Sequence, residues 1–251
     1  MQLQTKPKQR YYTPEEYLEW EEKSQEKNEY RNGEIIPMVG GTTNHNQIAG
    51  NVYTLFPLNI DNQDYYVYIE SVKFWWSEHN IYTYPDVMVI KDKPIYHGKS
   101  KSNAINPHII IEVLSSSTEA YDRGDKFEYY RSLPTFQEYI LIEQDRYSIT
   151  QYIKQDNNNW LVNFYTGEEA ILKLGSVNWE ISLKDIDQRI DFETVEEDIA
   201  ITEWFMRYLF SYFVFPVPCY LLLKVNPYHW LLIAIVNDYF NNNYSTLTPP
   251  I

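Results

Sequence analysis

The sequence has very little cysteine and too few basic residues to balance its acidic ones. The single cysteine, Cys219, excludes an intrachain disulfide and is typical of a protein from a reducing, cytoplasmic compartment. The formal net charge of -14 is unlike that of a protein that coats nucleic acid over its whole surface. It does not exclude local contacts with nucleic acid, because metal-binding carboxylates themselves add negative charge.

Several common catalytic and targeting signatures are also missing. The chain has no zinc-ligand spacing, no glycine-rich phosphate loop and no serine-centred nucleophile elbow. Residues 1–10 are polar and lack the apolar stretch of a signal peptide. The longest uncharged stretch of the C-terminal region, residues 208–223, is interrupted by Pro216 and Pro218. It is shorter than the roughly 20 apolar residues that a membrane-spanning helix needs.

The composition changes sharply near residue 204. Residues 204–251 are rich in aromatics and have a net charge of +1, whereas residues 1–203 carry -15. We therefore expect a polar N-terminal arm over residues 1–10, a folded domain over residues 11–193 and an apolar, aromatic-rich tail over residues 194–251. The tail could dock on a membrane or a partner, or it could be the read-through of a disrupted frame and not part of the fold.

Local patterns predict a mixed α/β (α+β) domain. Residues 13–16 (TPEE) form a capping box, which predicts a helix that runs to about Arg31 and ends at Asn32-Gly33. Further predicted elements are helices over 46–58 and 122–133, a loop over 91–107, and strands over 34–39, 65–71, 73–77, 81–84, 87–90, 108–114, 137–143, 147–153, 160–165 and 170–174. A helix that crosses over between strands favours a central mixed sheet flanked by helices.

Glu112 stands inside an otherwise apolar strand, residues 109–114 (IIIEVL). Burying an unpaired carboxylate costs several kcal/mol, so such a residue needs a partner, a proton or a metal. Strand alternation places Ile110, Glu112 and Leu114 on one face of the sheet. The simpler alternative is a strand end at which Glu112 reaches solvent or an arginine.

Asp86 follows Tyr84 and Pro85 and precedes the apolar strand 87–90. Proline is tolerated at the start of a strand, so Asp86 is expected to face the same cleft as Glu112. Two carboxylates from neighbouring strands, with room for water and a phosphate, suit Mg²⁺ or Mn²⁺. Such a metal lowers the pKa of a bound water and stabilises charge on a phosphate. Read alone, Pro85-Asp86 is also compatible with a simple turn.

These residues belong to an ordered set that resembles a known family. The set contains Asp86, Glu112 in IIIEVLS, Asp122 and Lys126 in STEAYDRGDKFEYYRS, and the segments YTPEEYLEW, NEYRNGEII and LPTFQEYILI. It resembles the Uma-two family of restriction-type endonucleases, which belongs to the PD-(D/E)XK nuclease superfamily. The resemblance covers about residues 10–193. It implies a restriction-endonuclease-like fold, Mg²⁺-dependent hydrolysis of DNA and a homodimer.

The resemblance also implies roles for individual residues. Two positions after Glu112, where the superfamily pattern has lysine, this chain has Leu114. In the family that role moves to the following helix, here to Lys126, whose ammonium would hold the attacking water or offset phosphate charge. Glu29 matches the acid on the first helix that completes the metal site, and Glu34 is the neighbour that could replace it.

Weaker candidates surround this set. His45 matches the family's histidine before the second helix, and Glu143 ends a core strand near the expected cleft. The loop over 91–101 is a candidate for phosphate contacts through its lysines, which are Lys91, Lys93, Lys99 and Lys101. A lysine-rich loop is more often simply solvated. Lys126 could likewise be solvated, or it could pair with Asp122 at i,i+4.

Two functions of other classes stay open at this stage. Asp86 and Glu112 could be the carboxylate pair of a glycoside hydrolase, which in a retaining enzyme lie about 5 Å apart. Activity without metal would favour that enzyme. Alternatively, the domain could be a catalytically inactive binding module whose aromatic tail docks to a partner or a membrane.

Overall fold

The structure is a computed structural model that describes residues 10–98, 100–156 and 159–192, and the backbone of residues 222–226 and 229–232. The first helix, α1 (Pro14–Glu21), begins with the expected capping box. The Thr13 hydroxyl accepts a hydrogen bond from the Glu16 amide, and the Glu16 carboxylate accepts one from the Thr13 amide. A cap of this kind stabilises a helix by about 1 kcal/mol.

The prediction that α1 continues to Arg31 was wrong. The helix ends at Glu21, and the chain then forms a hairpin of β1 (Asn28–Arg31) and β2 (Glu34–Pro37). Asn32 and Gly33 connect the two strands, with φ angles of 49° and 98°. Asn-Gly is a typical hairpin turn as well as a helix stop, and here it joins two strands.

The elements that follow are α2 (Thr43–Leu55), β3 (Asn59–Ile60), β4 (Gln63–Ile69), β5 (Lys73–Trp76), β6 (Ile81–Thr83), β7 (Val87–Lys91), β8 (Asn103–Ala104), β9 (Ile109–Leu114), α3 (Glu119–Arg123), α4 (Asp125–Tyr130), β10 (Glu138–Glu143), β11 (Ser148–Lys154), β12 (Trp160–Thr166), β13 (Ile171–Lys173), β14 (Glu180–Ser182) and α5 (Leu183–Ile186). The helix predicted over 122–133 is two helices, because Gly124 has non-helical φ and ψ of -108° and -100°. The loop predicted over 91–107 contains β8, which pairs with β5.

Two sheets organise this part of the chain. The larger sheet has seven strands in the order β12-β11-β10-β9-β7-β4-β3, and the smaller has five in the order β2-β1-β6-β5-β8. In the larger sheet β9 and β10 are parallel, and the connection between them contains α3 and α4. Parallel neighbours need such a crossover. The prediction of a mixed sheet flanked by helices is confirmed.

Side chains of β9 alternate between two cores. Ile109, Ile111 and Val113 belong to the core that α2 covers. Ile110 and Leu114 belong to the core on the other face, which includes residues of α4 and β5. The alternation therefore places Glu112 on the face that α3 and α4 cover, as the strand pattern predicts.

The chain passes from the smaller sheet to the larger one between β6 and β7. Tyr84 and Pro85 are buried in this connection, and Asp86 follows them at the start of β7. Asp86 therefore stands at the junction of the two sheets, where side chains of both can reach it.

The chain divides into two compact units, residues 1–193 and residues 194–251. The described backbone of the second unit is an antiparallel hairpin of β15 (Leu222–Asn226) and β16 (His229–Leu232). The other residues of the predicted aromatic tail lie outside the described part of the chain. Among the described residues, no helix has the length and apolar character needed to cross a bilayer.

Candidate active site

Asp86 and Glu112 lie side by side on neighbouring strands. Val87 of β7 is paired with Ile111 of β9, so the antiparallel register brings the preceding Asp86 opposite Glu112. The Asp86 amide donates to Glu112 Oε2 at 3.3 Å, and the Val113 amide donates to Asp86 Oδ2 at 2.7 Å. The fold thus brings together the two carboxylates that the sequence predicts to share a cleft.

Lys126 projects from α4 into the same place. Its Nζ lies 2.8 Å from Glu112 Oε1 and 2.9 Å from Asp122 Oδ1. All three side chains are buried, with 8%, 2% and 3% of the Lys126, Glu112 and Asp122 side chains exposed. The contact with Glu112 is an ion pair without hydrogen-bond geometry, so Glu112 Oε1 has no hydrogen-bond partner among the described residues. Lys126 is therefore not a solvated surface lysine.

Packing beneath the helices fixes the position of Asp122. Tyr139 of β10 is fully buried, and its hydroxyl donates to the Asp122 carbonyl at 3.0 Å. This bond holds the end of α3 against the sheet just before the break at Gly124. The i,i+4 pair of Asp122 and Lys126 spans that break, which directs the lysine towards Glu112.

The cluster contains more acidic groups than basic ones. Burial raises the pKa of Glu112 well above its ordinary value; the Lys126 ammonium opposes this rise, and the Asp86 and Asp122 carboxylates add to it. Burial lowers the pKa of Lys126, but the carboxylates of Glu112 and Asp122 outweigh burial and raise it. Glu112 and Asp122 thus contact the one ammonium, and Asp86 adds a third carboxylate beside Glu112. An added cation would offset the excess negative charge.

His45 is a further member of the cluster. It lies in the first turn of α2, where its amide donates to the Thr42 N-cap at 3.1 Å. Its Nε2 lies 3.1 Å from Asp86 Oδ1, and its buried Nδ1 has no partner among the described residues. Burial lowers the pKa of His45, but the hydrogen bond and the charge of Asp86 outweigh burial and raise it. His45 thus orients the carboxylate of Asp86.

Glu29 lies on β1 and not on a helix, which corrects the expectation of a helix-borne acid. It accepts a hydrogen bond from the Thr83 hydroxyl on one carboxylate oxygen. Its other oxygen binds the Arg31 guanidinium. Glu29 is therefore engaged by Thr83 and Arg31, and Thr83 precedes Asp86 by three residues in the chain.

Arg31 and Tyr121 were missed by sequence reasoning. The Arg31 guanidinium carbon lies 3.7 Å from the centroid of the Tyr121 ring, and Tyr121 is the neighbour of Asp122. The available signal was the Asn32-Gly33 turn, because a strand before it would have placed Glu29 and Arg31 on one face.

Of the other candidates, Glu143 ends β10, Glu34 begins β2, and the described lysines lie at and beyond the end of β7. Glu143 binds Arg123 and Arg146, and Glu34 is paired with Arg31 across the β1–β2 hairpin. Lys91 ends β7 while Asp86 precedes it, a separation of about 17 Å at roughly 3.3 Å per residue. The Lys91, Lys93 and Lys101 side chains are exposed, and Lys99 lies outside the described residues.

The residues present fit a hard cation with few protein ligands. The described part of the chain has no group of three or more His, Cys, Asp or Glu side chains placed to hold a metal. Asp86 and Glu112 supply two carboxylates, and Glu112 Oε1 is buried with the Lys126 ammonium as its ion-pair partner. Mg²⁺ is often bound by one or two carboxylates while it keeps several waters. The donor set therefore suits Mg²⁺ or Mn²⁺ and not structural zinc.

Comparison with known families identifies the family of the chain. Residues 14–184 match the family Uma2, which is described as "Putative restriction endonuclease". The chain belongs to the Uma2 family. The match includes every residue of the cluster and ends before residue 194, where the second compact unit begins.

Relatives and a solved structure are similar to a large part of the chain. The uncharacterized protein sll1609 of Synechocystis is 40% identical over 158 residues, which are 63% of this chain and 89% of that protein. The uncharacterized protein slr1290 of the same organism is 37% identical over 180 residues, which are 72% of this chain and 93% of that protein. The crystal structure of "a putative nuclease belonging to DUF820" from Anabaena variabilis has a TM-score of 0.55 at 18% identity. The match covers 70% of this chain and 97% of the Anabaena chain, and the two chains share the fold.

Proposed function

We propose that this Uma2 protein is a metal-dependent endonuclease that hydrolyses DNA phosphodiester bonds at Asp86, Glu112 and Lys126. One observation carries the proposal: the three residues come from β7, β9 and α4 and meet in one buried cluster with excess negative charge. Strongly perturbed ionisable groups of this kind concentrate at functional sites. Membership of a family described as a restriction endonuclease supports DNA as the substrate.

Each residue has a distinct part in this proposal. Asp86 and Glu112 bind Mg²⁺, which when bound lowers the pKa of a coordinated water and offsets charge on the phosphate. Lys126 holds the attacking water or the phosphate through its ammonium. Asp122 keeps that ammonium charged and directed into the site, and His45 orients Asp86.

The glycoside hydrolase is not favoured by these contacts. Its carboxylates must flank a sugar, one as a protonated acid that faces the glycosidic oxygen. Glu112 is 2% exposed and lies against the Lys126 ammonium, and the Asp86 amide donates to it. The inactive binding module is the alternative that the experiment below decides.

The first test is calorimetric titration of Mn²⁺ into the full chain, beside Asp86→Asn and Glu112→Gln. The control is Asp92→Asn, which removes one carboxylate at the opposite end of β7 from Asp86. We expect binding by the parent and by Asp92→Asn, and loss of binding in the two site variants. A folded parent that binds no Mn²⁺, with or without a DNA duplex, would move the protein to the class of inactive binding modules.

The second test is nicking of supercoiled plasmid in Mg²⁺. Lys126→Gln should keep Mn²⁺ binding and lose about 10²–10³-fold in cleavage rate, the usual effect of removing one group that stabilises the transition state. Equal cleavage by the parent and by Lys126→Gln would remove Lys126 from the mechanism and leave the metal site intact.

A further inference from the structure

Arg31 and Lys126 are two cations at the cluster that differ in how far solvent reaches them. Residues 1–203 carry a net charge of -15, so phosphates must be met by local cations. Lys126 is bound by two carboxylates and is 8% exposed. Arg31 is bound by Glu29, and 29% of its side chain is exposed. Of these two cations at the cluster, Arg31 is the one that solvent reaches.

Local structure places Arg31 beside the proposed site. In β1 the Tyr30 side chain faces the core with Tyr17 and Tyr82, so Glu29 and Arg31 point to the opposite face. Tyr30 is paired with Tyr82 of β6, which brings Glu29 opposite Thr83, three residues before Asp86. Glu29 is thereby anchored to the segment that carries the metal-binding aspartate.

The Arg31 guanidinium is held on two sides. Its Nε donates to Glu29 Oε2 at 3.0 Å, and its guanidinium carbon lies 3.7 Å from the centroid of the Tyr121 ring. The Lys126 ammonium approaches the same ring, at 5.8 Å from its centroid. A guanidinium that is fixed by stacking and by a carboxylate loses little entropy when it binds an anion, and its planar donors match a phosphate. Arg31 and Lys126 therefore present two cations around one aromatic ring at the edge of the cluster.

We propose that Arg31, positioned by Glu29 and Tyr121, binds a backbone phosphate of the DNA strand next to the phosphate that is cut. The inference rests on the proposed function and adds the contact that orients the substrate. Glu29 is then a positioning residue for Arg31 and not a ligand of the metal. The exposed lysines at the far end of β7 have no part in this contact.

The experiment measures binding of a short fluorescent DNA duplex of mixed sequence by anisotropy, in EDTA, over a series of salt concentrations. Each phosphate contact contributes about -0.9 to the slope of log K against log salt for duplex DNA. Arg31→Gln should make the slope shallower by about 0.9 and weaken binding to duplexes of unrelated sequence equally. Lys91→Gln removes the same charge at the distant end of β7 and should leave the slope unchanged.

Two further variants separate a phosphate contact from a structural role. Arg31→Lys keeps the charge and should restore most of the slope, with lower affinity because the planar donors are lost. Glu29→Gln keeps the Arg31 charge but removes its anchor, and should weaken binding several-fold with little change in slope. Urea midpoints of all variants exclude unfolding as the cause.

Equal slope changes in Arg31→Gln and Lys91→Gln would overturn the proposal, and so would a parent that fails to bind the duplex at low salt. These outcomes are distinct from failure of the nuclease proposal, because no metal is present in the binding assay. Mn²⁺ titration of Arg31→Gln completes the separation: the variant should bind Mn²⁺ as the parent does. Loss of Mn²⁺ binding in Arg31→Gln would show that Arg31 supports the metal site and would also overturn the phosphate contact.

Discussion

Lys126 and Glu112 form a buried ion pair, with Nζ 2.8 Å from Oε1, although one lies on α4 and the other in the middle of β9. Removing both charges from water costs several kcal/mol per ion, and only close partners offset that cost. Asp122 supplies the second partner of the ammonium. An apolar pair would often serve stability as well or better, so the ion pair is weak evidence of a purely stabilising role.

The first prediction concerns the stability of this pair. Lys126→Met should lower the free energy of unfolding by about 3–5 kcal/mol, because Glu112 and Asp122 would stay buried without their cation. Urea denaturation at neutral pH measures the loss. Lys173→Met is the matched control, since the Lys173–Glu180 pair is 68% and 59% exposed and should contribute less than about 1 kcal/mol. Similar small losses in the two variants would contradict the buried pair.

The second prediction concerns His45. His45→Ala should weaken Mn²⁺ binding by about 10–100-fold without abolishing it, because the histidine orients Asp86 but is not itself a metal ligand. Calorimetry beside Asp86→Asn distinguishes partial from complete loss. Asn46→Ala, one residue further along α2, removes a contact with partly buried Glu70 and should bind as the parent does. Complete loss in His45→Ala would make the histidine a ligand.

The third prediction concerns Asp187, which follows α5 and has a buried Oδ1 without a partner among the described residues. Burial raises its pKa from 3.8 to about 7. The folded state therefore binds the proton of the Asp187 carboxyl more tightly than the unfolded state does. The contribution of this proton to the free energy of unfolding is fully present below pH 3.8 and is lost as the pH rises towards 7. Over this range the free energy of unfolding falls by at most about 1.4 kcal/mol per pH unit.

Asp187→Asn should remove the decrease in stability with rising pH, and the variant should unfold at a higher urea concentration than the parent at pH 8. Urea midpoints between pH 4 and 8 test the difference. Asp145→Asn replaces a carboxylate that is 68% exposed and should give a curve parallel to that of the parent. If the urea midpoint of Asp187→Asn still falls with rising pH as in the parent, another group must be losing the proton.

The fourth prediction concerns two glycines with opposite requirements. Gly33 has a φ of 98°, and an added Cβ would lie 2.8 Å from Tyr11 Cδ1. Gly33→Ala should therefore destabilise the protein by about 1–2 kcal/mol. Gly50 lies inside α2 with open space around the added Cβ, and Gly50→Ala should stabilise it by about 0.5–1 kcal/mol. Thermal melts should show a lower melting temperature for Gly33→Ala and a higher one for Gly50→Ala. Changes of the same sign in both variants would contradict this assignment of the Asn32-Gly33 turn.

The sequence by itself determined the features that depend on local pattern. The apolar strand around Glu112, the proline before Asp86 and the capping box of α1 all depend on neighbours within a few residues, and the strands and the cap formed where the pattern predicts them. The period of two along β9 also determined which face Glu112 occupies. The resemblance added Lys126, which no local pattern distinguishes from a surface lysine.

The tertiary structure decided everything that depends on distant contacts. Asn32-Gly33 can end a helix or turn a hairpin, and the pairing of Tyr30 with Tyr82 settled it, which moved Glu29 to a strand. The stacking of Arg31 on Tyr121 joins residues far apart in the chain, so no window of sequence contains it. Local propensity is encoded in short stretches, but the energy that positions a buried charge comes from partners that only the folded chain brings near.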